Sequence, residues 1–278
     1  MKKYKDRRIS NEFDEREELK VNENSLRFYN KEVRIDCELP VEASDFEIIN
    51  NELIVSDKAY KRLHPDNINN SYFWKRASEL SPSTTFIGTN LDTRDVTILN
   101  ESSLGNSHQR SINYIDDKIT EDSTILEIGP GLGCIKEYIE NKYNINNYYV
   151  IDINKNFEYE RLYKCDGKSI PLDMKFDIIY SHNVFQHLSK KQRLGYFRDI
   201  KRVLKDDGEF TFSLFVRTEN NKQHFAYKRT NGIYLSLFYN QFIEIPTVDE
   251  ILYEVRSNGL KITLEKEVNN VCIFKVTK

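Results

Sequence analysis

The chain has 278 residues, of which 39% are hydrophobic and 31% are charged, and its formal net charge is -3. This composition predicts a globular protein with a real core, and it gives no support for binding to nucleic acid or to an anionic membrane surface. The four cysteines form no Cys-x-x-Cys pair, which argues against a zinc site or a disulfide framework. No stretch approaches the roughly 18 apolar residues of a membrane span, and the charged N-terminus lacks the apolar segment of a signal peptide, so we expect a cytoplasmic protein.

The first third of the chain predicts a charged arm followed by a small domain. Residues 1–20 alternate basic and acidic side chains and contain few apolar ones. Residues 21–105 contain short apolar runs separated by Asn, Pro and Asp, a pattern that predicts a small α+β region. Within it, Tyr72, Phe73 and Trp74 form an aromatic cluster that either packs in a core or walls a substrate pocket. This region is also a candidate binding surface for a partner protein.

Residues 106–278 alternate helix and strand signals, which is typical of a parallel sheet covered by helices. A predicted helix from Asn106 to Ile119 carries Ile112, Ile115 and Ile119 on one face. The predicted strands, rich in aromatic and β-branched residues, are 125–128, 148–152, 161–166, 176–181 and 209–216.

Two later helices carry clear start signals, and the chain closes with a predicted hairpin. Ser189 to Gln192 is a capping box, and the expected buried face is Leu194, Phe197, Ile200 and Leu204, with Gly208 ending the segment. Thr247 to Glu250 is a second capping box. The alternating runs 260–264 and 271–276 predict an antiparallel hairpin.

Three glycines follow the first strand of this region directly. Gly129, Gly131 and Gly133 separate the strand from a predicted helix that carries Ile135 and Ile139. A glycine-rich turn at this point lets a ligand lie against bare backbone, where any Cβ would collide. The turn therefore predicts a cofactor site, and a tight turn without a ligand is the alternative.

From about Asn106 to Lys278 the sequence resembles the class I S-adenosylmethionine-dependent methyltransferases. The matching motifs, in the family's order, are Glu127-Ile-Gly-Pro-Gly-Leu-Gly133, Asp152, Asp166-Gly167, Phe176-Asp177 and Arg202-Val-Leu-Lys-Asp-Asp-Gly208. The resemblance implies an α/β fold with a doubly wound, mostly parallel seven-stranded sheet that ends in an antiparallel hairpin. It also implies S-adenosylmethionine as cofactor. The expected cofactor-binding residues are Glu127, Gly129, Gly131, Gly133, Asp152, Asp166, Gly167 and Ser181.

Two carboxylates follow the second and third predicted strands. Asp152 lies 19 residues after Gly133 (152 − 133), close to the roughly 20-residue offset at which a carboxylate meets ribose hydroxyls. Asp166 is expected, from the resemblance, to accept a hydrogen bond from the adenine amino group. Each aspartate has a plainer alternative, because Asp commonly caps turns and Asp-Gly is itself a common turn. Asp166 follows Asp152 by only 14 residues, too few for a full crossover helix.

The segment after the fourth strand predicts the reaction site. His182 and His187 are candidate general bases for a methyl acceptor, although His187 fits a scaffold role equally well. Some related O-methyltransferases hold a divalent metal in this region with two glutamates and a histidine. Asn183 and Gln186 take the place of those glutamates here, so we expect no metal.

The long connection from Arg217 to Ile245 predicts either an acceptor-binding lid or a structural subdomain. Its candidate substrate residues are Tyr227, Arg229 and Tyr234, which suit a hydroxylated or anionic acceptor. The sequence thus predicts a methyltransferase acting on an oxygen of a small molecule or glycan. The alternative is a non-catalytic protein that keeps the fold. RNA methylation would need a basic surface that the balanced charge does not indicate.

Overall fold

The chain divides into two compact units in the computed structural model, one of Met1–Asn69 with Thr218–Ile245 and one of Asn70–Arg217 with Pro246–Lys278. The structure describes residues 20–22, 25–28, 31–34, 45–50, 52–63, 112–130, 133–153, 160–219, 226–228, 233–236, 243–268 and 271–278. The aromatic cluster at Tyr72 to Trp74 and the predicted boundary at 105 and 106 lie outside these residues. The domain boundaries therefore stay a proposal.

The strands and helices of the described residues are as follows. The strands are β1 (Lys20–Asn22), β2 (Ser25–Phe28), β3 (Lys31–Arg34), β4 (Phe46–Ile49), β5 (Glu52–Val55), β6 (Ile125–Ile128), β7 (Tyr148–Asp152), β8 (Leu162–Lys164), β9 (Phe176–Ser181), β10 (Leu204–Phe215), β11 (Ala226–Lys228), β12 (Ile233–Ser236), β13 (Ile243–Glu244), β14 (Lys261–Val268) and β15 (Val271–Thr277). The helices are α1 (Asp57–Leu63), α2 (Cys134–Tyr143), α3 (Lys190–Val203) and α4 (Val248–Arg256), and short 3-10 turns lie at Asp116–Lys118 and Phe185–His187. None of the helices within the described ranges combines the length and the apolar character of a membrane span.

The first unit contains two small sheets. β1, β2 and β3 form an antiparallel sheet, and a second sheet has the order β13-β12-β11-β5-β4. In the second sheet β11 pairs in parallel with β5, so that Ala226 lies opposite Leu53. The segment Thr218–Ile245, which the sequence analysis placed within residues 106–278, therefore contributes strands to the sheet of the N-terminal region.

The second unit contains one seven-stranded sheet with the order β14-β15-β10-β9-β6-β7-β8. β6 pairs in parallel with both β7 and β9, and β9 pairs in parallel with β10. β15 is antiparallel to β10 and to β14, which closes the chain in the predicted hairpin. The predicted fold class is confirmed. The chain leaves β6 in one direction toward β8 and later returns to β9, so the order of the strands reverses between β6 and β9.

Helices cover both faces of this sheet, which explains why its central strands are apolar on both sides. On one face α2 packs through Ile135, Tyr138 and Ile139 against β6 and β7. Ile112, Ile115 and Ile119, the three isoleucines of the predicted helix, are buried in the same cluster. Ile112 is helical, Ile115 lies in the turn that follows, and Ile119 comes directly after a 3-10 segment. The other face buries α3 and α4 in a larger cluster that includes Phe197, Ile200, Ile251 and Val255.

The end of α3 differs from the prediction. The helix stops at Val203, and Leu204 is already extended and begins β10. Gly208 lies inside this strand, where a Cβ would meet the carbonyl oxygens of Phe176 and Asp177 at 2.9 and 3.0 Å. Gly208 is therefore a glycine because β9 and β10 approach closely there, and not because it ends a helix.

The buried face of α3 is also rotated from the predicted one. Leu194 is only half-buried, whereas Arg193, Tyr196 and Phe197 are buried. Arginine is seldom a core residue, so the apolar pattern of the sequence assigned its neighbour Leu194 to the buried face of the helix. The reason for its burial is an ion pair with Glu254 of α4, which holds the guanidinium inside the protein.

Candidate functional site

The first glycine of the turn and the aspartate that ends β7 lie on neighbouring strands at the same edge of the sheet. Ile128 of β6 lies opposite Ile151 of β7, and the Gly129 N–H donates a hydrogen bond to the Ile151 carbonyl at 2.8 Å. Gly129 and Asp152 thus each directly follow a residue of the last pair between β6 and β7, Ile128 and Ile151. The carboxyl ends of these strands flank the point where the strand order reverses, which is where open α/β sheets bind ligands.

Two glycines of the turn adopt conformations that other residues rarely take. Gly129 has a φ of 71° and Gly133, the N-cap of α2, has a φ of 79°. A Cβ on Gly129 would lie 2.4 Å from Cγ2 of Val184, so this glycine is needed for packing as well as for its backbone angle. Gly131, the middle glycine of the predicted cofactor site, lies outside the described residues.

The contact between Gly129 and Val184 predicts a measurable coupling. We expect Gly129→Ala to lower the free energy of unfolding by about 2–4 kcal/mol, because it adds backbone strain and a clash with a branched side chain. The double variant Gly129→Ala/Val184→Ala should be less destabilised than the two single variants summed, because removing the valine methyls removes the clash. Urea denaturation measures all three, and strictly additive losses would contradict the packing account.

Glu127, expected at the cofactor, is buried in the second unit, and its contact with the cofactor stays a prediction. Only 2% of the residue is exposed, and its Oε2 accepts a hydrogen bond from the Tyr148 hydroxyl at 2.9 Å. Burial raises the pKa of Glu127 from 4.5 to about 7, although Tyr148 and the ammonium group of Lys136 both favour the charged form. The carboxyl group thus changes charge near neutral pH inside the scaffold beneath the glycine turn.

This carboxyl group should make folding stability depend on pH. Because the folded pKa lies above the unfolded one, its contribution is fully present below about pH 4.5 and is lost as the pH rises toward about 7. Between about pH 5 and about pH 8 we expect the wild type to lose up to about 3 kcal/mol more stability than Glu127→Gln. Urea denaturation at the two pH values tests this, with the exposed Glu160→Gln as control; parallel losses in wild type and Glu127→Gln would contradict it.

The third predicted strand brings a second aspartate to the same edge. Lys164 of β8 lies opposite Asp152, and the Cys165 N–H donates to the Asp152 carbonyl at 2.9 Å, so Asp166 follows one residue later. Oδ1 of Asp166 accepts hydrogen bonds from the N–H groups of Lys168 and Ser169. These bonds, outweighing partial burial, lower the pKa of Asp166. The carboxylate therefore holds its own turn, as in the plainer of the two interpretations, and an adenine contact stays a prediction.

Gly167 and Ser181 have contrasting surroundings. Gly167 is buried with a φ of 73°, which explains the glycine after Asp166. Ser181, at the end of β9, is fully buried, and its hydroxyl donates to the Ile128 carbonyl at 3.0 Å. The Ser181 hydroxyl thus ties β9 to β6 across the reversal point, and the geometry supports a scaffold role for it more directly than a contact with cofactor.

The two candidate bases lie on either side of Val184, and both are half-buried. The His182 ring has polar partners at both nitrogens: Nδ1 lies 3.1 Å from the Ser213 hydroxyl and Nε2 lies 2.9 Å from the Asn183 side-chain nitrogen. Nε2 of His187 lies 3.4 Å from the Gln186 amide nitrogen. His182 is therefore hydrogen-bonded within the scaffold through both ring nitrogens. These contacts do not favour either histidine as the general base.

The predicted acceptor-binding residues belong to the first unit. Tyr227 and Tyr234 are opposite each other in the β11–β12 pairing, while Arg229 lies outside the described residues. The described residues contain no group of three or more His, Cys, Asp or Glu side chains arranged to hold a metal ion.

The sequence did not indicate that Ser213 and Val184 contact residues of the candidate site. A serine within the apolar run 210–216 was the available signal for the first, and nothing in the pattern indicated the second.

The seven-stranded sheet, its reversal point and the glycine turn beside Asp152 define the class I methyltransferase fold. Residues 126–212 match a family model described as a methyltransferase domain. This segment runs from β6 into β10 and contains all the motifs on which the resemblance rests. This match confirms the resemblance to methyltransferases over residues 126–212.

Curated relatives and solved structures are similar over parts of the chain. A malonyl-[acyl-carrier protein] O-methyltransferase of Geobacter sulfurreducens is 29% identical over 119 residues, which cover 38% of this chain and 44% of the relative. A sphingolipid C9-methyltransferase 1 of Gibberella zeae is 23% identical over 159 residues, covering 51% of this chain and 30% of the relative. A solved S-adenosylmethionine-dependent methyltransferase of Clostridium acetobutylicum has a TM-score of 0.49 at 12% identity, covering 74% of this chain and 98% of that one. The chain spans less than half the length of these two curated relatives.

Proposed function

We propose that this protein is a methyltransferase that uses S-adenosylmethionine. The observation that carries the proposal is the placement of Gly129 and Asp152 on adjacent strand ends, joined through the hydrogen bond between Gly129 and Ile151. The family match over residues 126–212 supports it. The names of both curated relatives, an O-methyltransferase and a C9-methyltransferase, also support methyl transfer as the reaction.

The residues at this edge fit the cofactor. Gly129 and Gly133 place left-handed backbone at the turn before α2, where N–H groups of the first helical turn have no partner within the helix. The half-buried carboxylate of Asp152 suits two ribose hydroxyls, and Asp166 with Gly167 is proposed for the adenine end. When bound, the sulfonium group supplies an electrophilic methyl carbon.

We propose an oxygen of a small molecule or a glycan as the methyl acceptor. The Geobacter relative is named as an O-methyltransferase, which supports oxygen as the acceptor atom. The charge balance, with a net charge of -3, gives no support for nucleic acid as the acceptor. Because both nitrogens of His182 have scaffold partners, transfer is proposed to depend mainly on alignment of the acceptor with the methyl carbon. Tyr227, Arg229 and Tyr234 remain the proposed acceptor-binding residues.

Transfer of an isotopically labelled methyl group tests this function. The full chain is incubated with labelled S-adenosylmethionine and a cell extract, and labelled products are identified by mass spectrometry. We expect a labelled small molecule or glycan with the wild type and none with Asp152→Ala. Binding of S-adenosylhomocysteine without any labelled product would instead support the alternative of a non-catalytic protein that keeps the fold.

A further inference from the structure

A buried serine of β10 connects to the segment that follows β9. Ser213 is 1% exposed, and its hydroxyl oxygen lies 3.1 Å from Nδ1 of His182. The same oxygen accepts the Asn183 backbone N–H at 2.8 Å and lies 3.2 Å from the Asn183 side-chain oxygen. The Asn183 side-chain nitrogen lies 2.9 Å from Nε2 of His182. Ser213, His182 and Asn183 thus form a closed ring of hydrogen bonds, here called the serine ring.

Counting donors and acceptors shows which form of His182 the serine ring accommodates. With a proton on Nδ1 only, His182 donates to Ser213, Ser213 donates to the Asn183 carbonyl oxygen, and the Asn183 amide donates to Nε2. Turning the amide over reverses every bond and places the proton on Nε2 only. If both ring nitrogens carried protons, the Asn183 oxygen would have to accept from Nε2, and the Ser213 hydroxyl would lose its acceptor within the ring. The closed ring therefore fits a neutral imidazole.

The serine ring holds a turn that contacts the glycine turn. Asn183 has a φ of 55°, a left-handed conformation that asparagine tolerates better than most residues. The next residue, Val184, packs against Gly129, the first glycine after β6. Phe185 then packs on Phe212 with ring centroids 5.0 Å apart. Because Phe212 and Ser213 point to opposite faces of β10, the segment is fastened on both faces of that strand.

We infer that Ser213 is a positioning residue for the cofactor turn. Through the serine ring it holds residues 182–184, and through Val184 it holds Gly129 in the conformation that receives S-adenosylmethionine. His182 acts in this arrangement as a scaffold group in a single neutral form and not as the base. This inference rests on the proposed function for its effect on cofactor, whereas the serine ring itself is tested on the free protein.

The first experiment observes the imidazole directly. Long-range proton–nitrogen NMR of the nitrogen-15-labelled full chain resolves the two ring nitrogens of His182, which is assigned from the signal lost in His182→Gln. We expect one neutral tautomer in the wild type and in Ser213→Thr, which keeps the hydroxyl, and an average of two tautomers in Ser213→Ala. The matched control is Thr211→Val, which removes a buried hydroxyl from the same face of β10 outside the ring. An unchanged single tautomer in Ser213→Ala, or averaging in Thr211→Val, would overturn the inference.

The second experiment measures S-adenosylhomocysteine binding by calorimetry. We expect Ser213→Ala to bind about tenfold more weakly than the wild type, as the loss of the serine ring loosens the turn, and Ser213→Thr to restore most of the affinity. Thr211→Val should bind like the wild type. Equal weakening in Ser213→Ala and Thr211→Val would mean a general loss of packing and would overturn the positioning role. A wild type that binds no ligand would refute the proposed function and the cofactor part of this inference. The NMR measurement of the His182 tautomer would still test the serine ring.

Discussion

Replacing Asp152 with alanine should weaken the binding of S-adenosylhomocysteine by at least about 100-fold. A carboxylate that accepts hydrogen bonds from two ribose hydroxyls contributes about 1.5–3 kcal/mol per bond, and the alanine variant keeps neither bond. Asp152 ends β7 beside Gly129, so its loss removes the polar half of the site and leaves the glycine turn in place. Calorimetric titration of the wild type and the variant measures the difference in affinity.

The control for this prediction is an aspartate of the same unit that lies away from the carboxyl ends of the strands. Asp173 is exposed and pairs with Arg202 at 2.8 Å, so Asp173→Ala should bind the ligand like the wild type. If Asp152→Ala bound as tightly as the wild type, the proposed contact between this carboxylate and the ribose would be wrong. Equal losses in both variants would point to a general effect of removing negative charge.

The largest expected loss of stability comes from the ion pair between α3 and α4. Nε and Nη2 of Arg193 each donate to one carboxylate oxygen of Glu254 at 2.8 Å, and both side chains are 2% exposed. Nη1 of Arg193 also donates to the Leu188 carbonyl at 2.8 Å. We expect Arg193→Met to lower the free energy of unfolding by about 3–5 kcal/mol, because it leaves a buried carboxylate without its partner. Urea denaturation at neutral pH measures this loss.

Two further variants separate the buried charge from loss of packing. The double variant Arg193→Met/Glu254→Leu removes both charges and should recover much of the stability that Arg193→Met loses. Lys205→Met removes a partly exposed pair with Asp177 and should cost less than about 1 kcal/mol. A double variant as unstable as Arg193→Met would show that the shape of the arginine, and not the unpaired carboxylate, accounts for the loss.

Most of the fold was predictable because the signals that define it are local. Alternating helix and strand signals indicated a parallel sheet, and both capping boxes are formed as predicted at Ser189 and Thr247. The carboxyl ends of parallel strands meet at one edge, so the sequence also predicted that the glycine turn and Asp152 would be neighbours. Residues far apart in the chain but close to strand ends were therefore assigned to one edge without coordinates.

The errors arose where a distant partner decides the local structure. Arg193 is buried because it pairs with Glu254, which lies 61 residues later in the chain. Gly208 is required because β9 approaches it closely. Neither partner can be identified from the sequence around Arg193 or Gly208. The bond that Glu127 accepts from Tyr148 on the next strand was not visible in the local pattern either, while its contact with the cofactor stays a prediction. The bond between Ser213 and His182 joins residues 31 apart for the same reason.

The most direct test of the central claim is an NMR titration of the nitrogen-15-labelled wild type with S-adenosylhomocysteine. The claim is that the ends of β6 and β7 bind this ligand, so the backbone amides of Gly129, Gly133 and Asp152 should shift and saturate at one equivalent. The amides at the opposite edge of the sheet, such as Asp177 and Thr124, should shift little. Amides at the glycine turn and Asp152 that do not respond to saturating ligand would contradict the claim.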